Sequence, residues 1–403
     1  MLFILILLSA MPDTMAAPVV KELFIDRYGA TPSAAQIFNG INLLGALVAI
    51  PLLWLGRAKE RSVQFVVWGS VADALLLAAM ACPMGLGWTL MIRALEGVTD
   101  VIVFAALFEL VRQSARGHVA TGLGLASTPL LLGLGLGAML GGFVVRQTDG
   151  SLASVWLFGA SAVLSLLVAV LVPRIGRTIV GEASLESKVE LKPAATSTSN
   201  DPLWPSLAMT FSDRASGGLI TGTLPIALAQ VLNYSAMERG VLVGLPLLLM
   251  ALGTGPAGWL CDRIGSLRVR IAAGIAYAAA FALLAVVGNQ AFPLGCVMIV
   301  IGLSASALFS SSIALVTGCG STTMALGAFR GAGDLGFLSG TLLSLVLLST
   351  LGGSDPTYSD YASVLLVFAG FHLVTTIITG IALHIARRKA QLAGCVGVSS
   401  VIR

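Results

Sequence analysis

The chain has 403 residues, of which 57% are apolar and only 10% charged, and its mean hydropathy is +0.96. A soluble domain carries about 25% charged residues, so a water-soluble globular protein is excluded. The net charge of +4 sits in the connections between apolar runs, which suits a membrane face and gives no basis for nucleic-acid binding.

Apolar runs of about 18 to 25 residues can each cross about 30 Å of hydrocarbon as a helix. They begin near Leu2, Gln36, Val63, Gly87, Gly117, Ala153, Trp204, Arg239, Val269, Ala291, Thr322 and Tyr361. The expected fold class is an all-α integral membrane protein with about 12 transmembrane helices. The first run lacks the basic n-region of a cleaved signal and continues past Asp13 to Val20, so it is read as a span. Alternate connections hold Arg57, Lys59, Arg61, Arg112, Arg116, Arg174, Arg177, Lys188, Lys192, Arg263, Arg268, Arg270, Arg387, Arg388, Lys389 and Arg403. The others hold only Lys21, Arg27, Arg146 and Arg239. The bias places both termini in the cytoplasm, in an inner or plasma membrane.

Burying an ionised side chain in a span costs at least a few kcal/mol, so each such residue is a functional candidate. In the first span Asp13 stands alone beside Pro12; it suits a proton carrier, or a polar break in the helix satisfied by water. In the fourth, Arg93, Glu96 and Asp100 share one face at i, i+3 and i+7. A carboxyl that trades its proton for an arginine partner is a workable coupling device; the plainer reading is a static pair that fixes helix register. Glu109, near the inner end, snorkels or pairs with Arg112 or Arg116. In the fifth span Gly133, Gly137 and Gly141, followed by Gly142, form a small-residue stripe along which a neighbouring helix can approach and slide.

Residues 174–203 include Glu182, Glu186, Lys188, Glu190 and Lys192, then a Thr/Ser run to Asn200. That composition cannot bury a core and is expected to be a mobile cytoplasmic tether. Pro18 and Pro51 are spaced as Pro225 and Gly258 are, in matching helix–loop–helix settings, which points to two related halves. The expected division is 1–173 and 204–386 as six-helix bundles, 174–203 as linker and 387–403 as cytoplasmic tail. In the seventh span Asp213 and Arg214 form a candidate self-satisfied pair, as do Arg330 and Asp334 in the eleventh at i, i+4.

Between the eighth and ninth spans runs Gly258-Trp-Leu-Cys-Asp262-Arg263-Ile-Gly265-Ser-Leu-Arg268. It closely resembles the cytoplasmic loop motif of the major facilitator superfamily, Gly-x-Leu-x-Asp-Arg-x-Gly-Arg/Ser. Arg93-Ala-Leu-Glu96-Gly97 is similar to that family's Arg-x-x-Gln-Gly, with Glu in the Gln position. The glycine pattern from Gly133 to Gly142 resembles its antiporter motif, with Ala138 replacing the proline; in such a carrier the Gly133, Gly137 and Gly141 stripe is expected to join the two halves. Gly327 to Gly336 looks like a pattern common in its eleventh helix. In the first half the loop motif is degraded, with Leu55 where the family places Asp.

The resemblance implies two six-helix halves of the facilitator fold and a monomeric secondary transporter for a small organic solute. The glycine pattern favours proton-coupled export by antiport; proton-coupled uptake by symport is the alternative. In such a carrier the charges buried in the spans, Asp13, Arg93, Glu96, Asp100, Asp213 and Arg214, are the candidates for substrate or proton roles. Gating roles fall to Gly258, Asp262, Arg263, Gly265, Arg330 and Asp334, with Asp262 meeting the start of helix 5 near Arg116. Asp73 and His372 fall on helices peripheral in that fold and read as packing hydrogen bonds, and the five cysteines as small fillers. No phosphate loop, zinc-type cluster or nucleophile elbow occurs. The expected partners are therefore a small solute, protons and the lipid bilayer, with no cofactor, no metal and no enzymatic activity. An intramembrane enzyme and a non-transporting receptor or scaffold are the rivals.

Overall fold

A computed structural model describes residues 1–45, 48–49, 52, 61–114, 119–148, 152–186, 202–288, 290–317, 319, 322–353 and 356–399. The degraded motif at Leu55, Gly56, Arg57 and Lys59, the loop residue Arg116 and most of the linker lie outside them. The described residues form α1 (Leu2–Met15), α2 (Pro32–Ile41), α3 (Ser62–Ala81), α4 (Leu86–Ser114), α5 (Val119–Arg146) and α6 (Ala153–Glu186). The series continues with α7 (Leu203–Gly222), α8 (Ala236–Ile264), α9 (Ser266–Val287), α10 (Ala291–Thr317), α11 (Thr322–Leu351) and α12 (Tyr358–Ser399). Helices suit hydrocarbon because each satisfies its own backbone. Nine of the described helices are long and apolar enough to cross a membrane; the charges of α4 keep it from counting by hydropathy alone.

Local chemistry sets several ends. After Pro12, α1 runs into a 3-10 turn at Ala17–Val19, containing Pro18, and then a π-helical segment at Lys21–Asp26, both devices that accommodate a disturbed helical ladder. Thr31 caps α2 by accepting from the Ala34 amide at 3.2 Å, with Pro32 in the first helical position. Ser235 and Glu238 form a reciprocal capping box at the start of α8, with Glu238 Oε2 accepting from the Ser235 amide at 2.8 Å. Gly265 separates α8 from α9 at φ +93°, a conformation that a side chain would strain.

Two compact units emerge. The first comprises Met1–Leu191, Leu219–Ala251 and Thr341–Asp360, the second Lys192–Gly218, Leu252–Gly340 and Tyr361–Arg403. In the first unit α3 packs along α4 and α6, and α1 along α5. Its core has one cluster around Phe24, Phe38, Leu77, Met80 and Phe158, and another around Leu5, Val66, Leu107 and Val168. In the second, α9 packs along α10, and Met209, Leu267, Leu315 and Leu383 meet in a smaller core. Trp68, Leu75, Val163 and Val286 are exposed, as lipid-facing positions should be.

Glycines govern the closest crossings. Along α5, methyl groups added at Gly133, Gly137 and Gly141 would strike the α1 backbone at Leu7, Met11 and Met15. The stripe expected to join the two halves thus packs inside the first half. A second face of α5 meets the second half: a methyl group at Gly240 of α8 would lie 2.7 Å from the Ala138 carbonyl oxygen and 3.2 Å from Gly142 Cα. The second unit repeats the first device, with Gly336 and Gly340 of α11 against the backbone of Phe211 and Ala215 in α7.

Candidate functional site

The first unit gathers buried charge around one guanidinium. Arg93 donates from Nη1 to Glu96 Oε1 at 2.5 Å, as their i, i+3 spacing allows, and from Nη2 to the backbone carbonyl of Asp13 at 3.3 Å. The Phe38 ring lies 5.1 Å from its centre, a cation–π contact. Glu96 is 1% exposed and Arg93 3%. Asp13 of α1 and Asp100 of α4 are joined by a side-chain hydrogen bond. The four residues predicted from the first and fourth spans are therefore one cluster.

Asp73 belongs to it as well. Its two carboxylate oxygens accept from Thr99 at 3.0 Å and from Ser165 at 2.6 Å, and its field reaches Arg93. These are interhelix packing hydrogen bonds from α3 to α4 and α6, as expected of Asp73, and its charge acts on Arg93 besides. Four carboxyls, Asp13, Asp73, Glu96 and Asp100, thus act on one buried arginine. The cluster also keeps spare bonding capacity. Arg93 Nε and Glu96 Oε2 are buried with no hydrogen-bond partner among the described residues. Gly97, the last residue of the Arg93 motif, lies so close to the Asn42 backbone that no side chain fits there, which brings the second span against this cluster.

In the second unit the expected Asp213–Arg214 pair does not form. Neighbouring residues on a helix do not face each other, and Asp213 instead receives both arms of Arg270, at 2.6 and 2.7 Å. Arg270, read from the sequence as a loop charge, is 0% exposed. His372 joins this network, with Nδ1 3.2 Å from Ser212 Oγ and 3.8 Å from Asp213, and its ring 4.9 Å from that of Tyr277. Arg330 and Asp334 form the anticipated i, i+4 pair at 2.9 Å.

In the charged turn, Arg263 stacks 4.3 Å from the Trp259 ring, and Asp262 is exposed with no ion pair or hydrogen bond among the described residues. Gly258 has open space where its Cβ would be. The expected contact of Asp262 with Arg116 lies outside the described residues. Glu109 pairs with Arg112 at 2.5 Å, as anticipated. At the opposite ends of the helices Glu22 pairs with Arg239, which is 1% exposed, and Asn39 donates to the Thr221 carbonyl at 3.0 Å. Neither contact was anticipated, since Arg239 reads as a loop charge.

The first helix thus has prolines within it, the fourth carries a buried acid cluster, and close glycine crossings recur on the fifth and eleventh. The family model of the Major Facilitator Superfamily matches residues 2–317 and 206–394. The chain is 25% identical over 218 residues to "Sodium-dependent phosphate transport protein 1, chloroplastic" of Arabidopsis thaliana, covering 50% of this chain and 41% of that one. It is 26% identical over 261 residues to "Probable anion transporter 4, chloroplastic" of Oryza sativa subsp. japonica, covering 59% and 42%. The chain thus spans about two fifths of these relatives' length. Among solved structures, a bacterial homologue of the human lysosomal transporter Spinster superposes with a TM-score of 0.70 at 15% identity, over 96% of this chain and 95% of that one. The nucleoside transporter NupG gives 0.68 at 14% over 94% and 98%, and a D-xylose-proton symporter 0.67 at 15% over 92% and 95%. With the loop motif at Gly258–Gly265 and helices of this order and packing, the chain is a multi-pass membrane protein that belongs to the major facilitator superfamily.

Proposed function

We propose that this chain is a proton-coupled carrier of a small solute, acting in a cell membrane with both termini cytoplasmic. The observation that carries the reading is the buried cluster in which four carboxyls share one arginine. Such an imbalance is offset by protons taken up and released during transport, and the carboxyl left without its arginine in one step is the natural proton site in the next. Glu96, which holds Arg93 directly, and Asp100, bonded to Asp13, carry this role. The likeness to the two plant anion and phosphate transporters favours a small anion as the solute. The α5 glycine pattern favours export by antiport; the D-xylose-proton symporter among the structural neighbours favours uptake by symport as the second reading.

The test uses the full chain in vesicles with an imposed pH gradient. Glu96→Gln and Asp100→Asn should abolish gradient-driven accumulation while leaving exchange at equal pH. Gradient-driven transport unchanged in both variants would sink the coupling role. The sign of the gradient separates the two directions: an acidic lumen drives uptake by antiport, an alkaline lumen by symport.

A further inference from the structure

Two helices of the second unit end together on unanswered positive charge. α9 and α12 run antiparallel in contact: a methyl group added at Gly274 would lie 2.6 Å from Thr376 Oγ1, one at Gly380 would lie 3.1 Å from Ile271 Cδ1, and Leu267 and Leu383 share one core cluster. These contacts fix a single register, which sets Arg268 level with Ala382 and Arg388 about 9 Å further toward the same end. On α9 the exposed positions Ile275, Ala279, Leu283 and Val286 lie on one face that also carries the exposed Arg268. On α12 the exposed Val374, Ile377, Ile381 and Ile385 lead in the same way to Arg388, with Lys389 beside it. Apolar faces of this kind meet lipid tails, so the two guanidinium groups stand over lipid and not over protein. The 22 residues of α9 cover about 33 Å, close to the thickness of the hydrocarbon core, which puts its first turn among the headgroups.

Acids are missing from this end. α9 has none, α12 has none after Asp360, and Arg268, Arg388 and Lys389 make no ion pair and no side-chain hydrogen bond among the described residues. Asp262, on the turn before α9, is exposed and engages none of them. We propose that the feet of α9 and α12 bind the phosphate headgroup of an anionic phospholipid, held by Arg268 and Arg388 with Lys389 adding charge. The planar fork of an arginine fits phosphate oxygens with two parallel bonds, and basic residues between helix ends at a membrane face recognise anionic headgroups. The apolar faces above the two arginines take the acyl chains, which a free anion lacks. In the proposed orientation the lipid belongs to the cytoplasmic leaflet, while the binding itself does not depend on the carrier reading.

The test titrates the purified full chain, in a non-ionic detergent, with phosphatidylglycerol or phosphatidylcholine and follows lipid retention by native mass spectrometry. At the tightest site phosphatidylglycerol should be held at least tenfold more strongly than phosphatidylcholine, and less strongly as salt is raised. Arg268→Gln with Arg388→Gln should weaken phosphatidylglycerol at least tenfold and leave phosphatidylcholine as it was. Both residues are exposed, so the fold should survive their loss. Removing two charges at the other end of the helices, Lys21→Gln with Arg146→Gln, should change neither lipid. A second measurement needs no variant: phosphatidylglycerol with a photoreactive acyl chain should label the wild type within residues 268–286 and 374–389. Equal retention of the two lipids by the wild type, an equal loss in both double variants, no loss in the α9–α12 variant, or labelling confined to other helices overturns the proposal. Complete displacement of the lipid by inorganic phosphate at the same concentration would mark a free-anion site and overturn it too.

Discussion

Arg270 and Asp213 show how sharply a single buried side chain can be held to its partner. Both arms of the arginine are used and the residue is fully covered. Removing one member of a buried ion pair leaves the other charge uncompensated, at about 3–5 kcal/mol, whereas replacing both with apolar groups of similar size is often neutral. Arg270→Met should therefore lower the thermal midpoint of the purified protein steeply, and Arg270→Met with Asp213→Leu should recover most of it. If the double variant is as unstable as the single one, the pair's remaining hydrogen bonds matter more than its charge. The pairing was not legible in the sequence. Asp213 and Arg214 are adjacent in the chain, but 100° of helical rotation separates them, and nothing in one sequence reveals which distant arginine the acid faces. Arg93 with Glu96 was legible because their i, i+3 spacing fixes the contact locally.

At the scale of helices, the order of spans and the charged turn at Gly265 could be read from hydropathy and glycine placement, while the faces of the helices could not. The spans are apolar on all sides, so no polar face orients them, and Asp73 could be placed outside the cluster as readily as in it. Small residues mark a close crossing without naming the partner, which is why the α5 stripe was assigned to the wrong neighbour. The crossings themselves are testable. A methyl group at Gly141 would meet the Met15 backbone, and one at Gly340 the Ala215 backbone, whereas Gly159 has open space. Backbone cannot yield as a flexible side chain does, so Gly141→Ala and Gly340→Ala should each cost about 1–3 kcal/mol or more, and Gly159→Ala should be close to neutral. Thermal unfolding of the three variants in one detergent provides the comparison.

For the whole molecule, the contacts that join helices of both halves within the first unit are gating candidates: Glu22 with Arg239, Asn39 with Thr221, and the α5–α8 glycine crossing. In the proposed orientation, with a cytoplasmic N-terminus, all lie toward the outer face. Glu22→Ala should loosen this closure, and a cysteine placed at the buried Ile226 should then react several-fold faster with a membrane-impermeant maleimide added outside. Equal labelling in the presence and absence of Glu22 would mean that apolar packing alone keeps the outer face shut.

That ion pair has a further property. Glu22 Oε2 and Arg239 Nη1 are buried with no hydrogen-bond partner among the described residues, so one acceptor and one donor of the pair stand idle. Water arriving between parting helix tips would find one acceptor and one donor already waiting, and would return part of the bonding lost when the ions separate. A buried donor or acceptor left idle costs about 1–3 kcal/mol, so these atoms weaken the closed form, and water reaching them recovers that cost as the helices part. The outer helix tips would then part and close again readily, with water taking up the idle bonds each time.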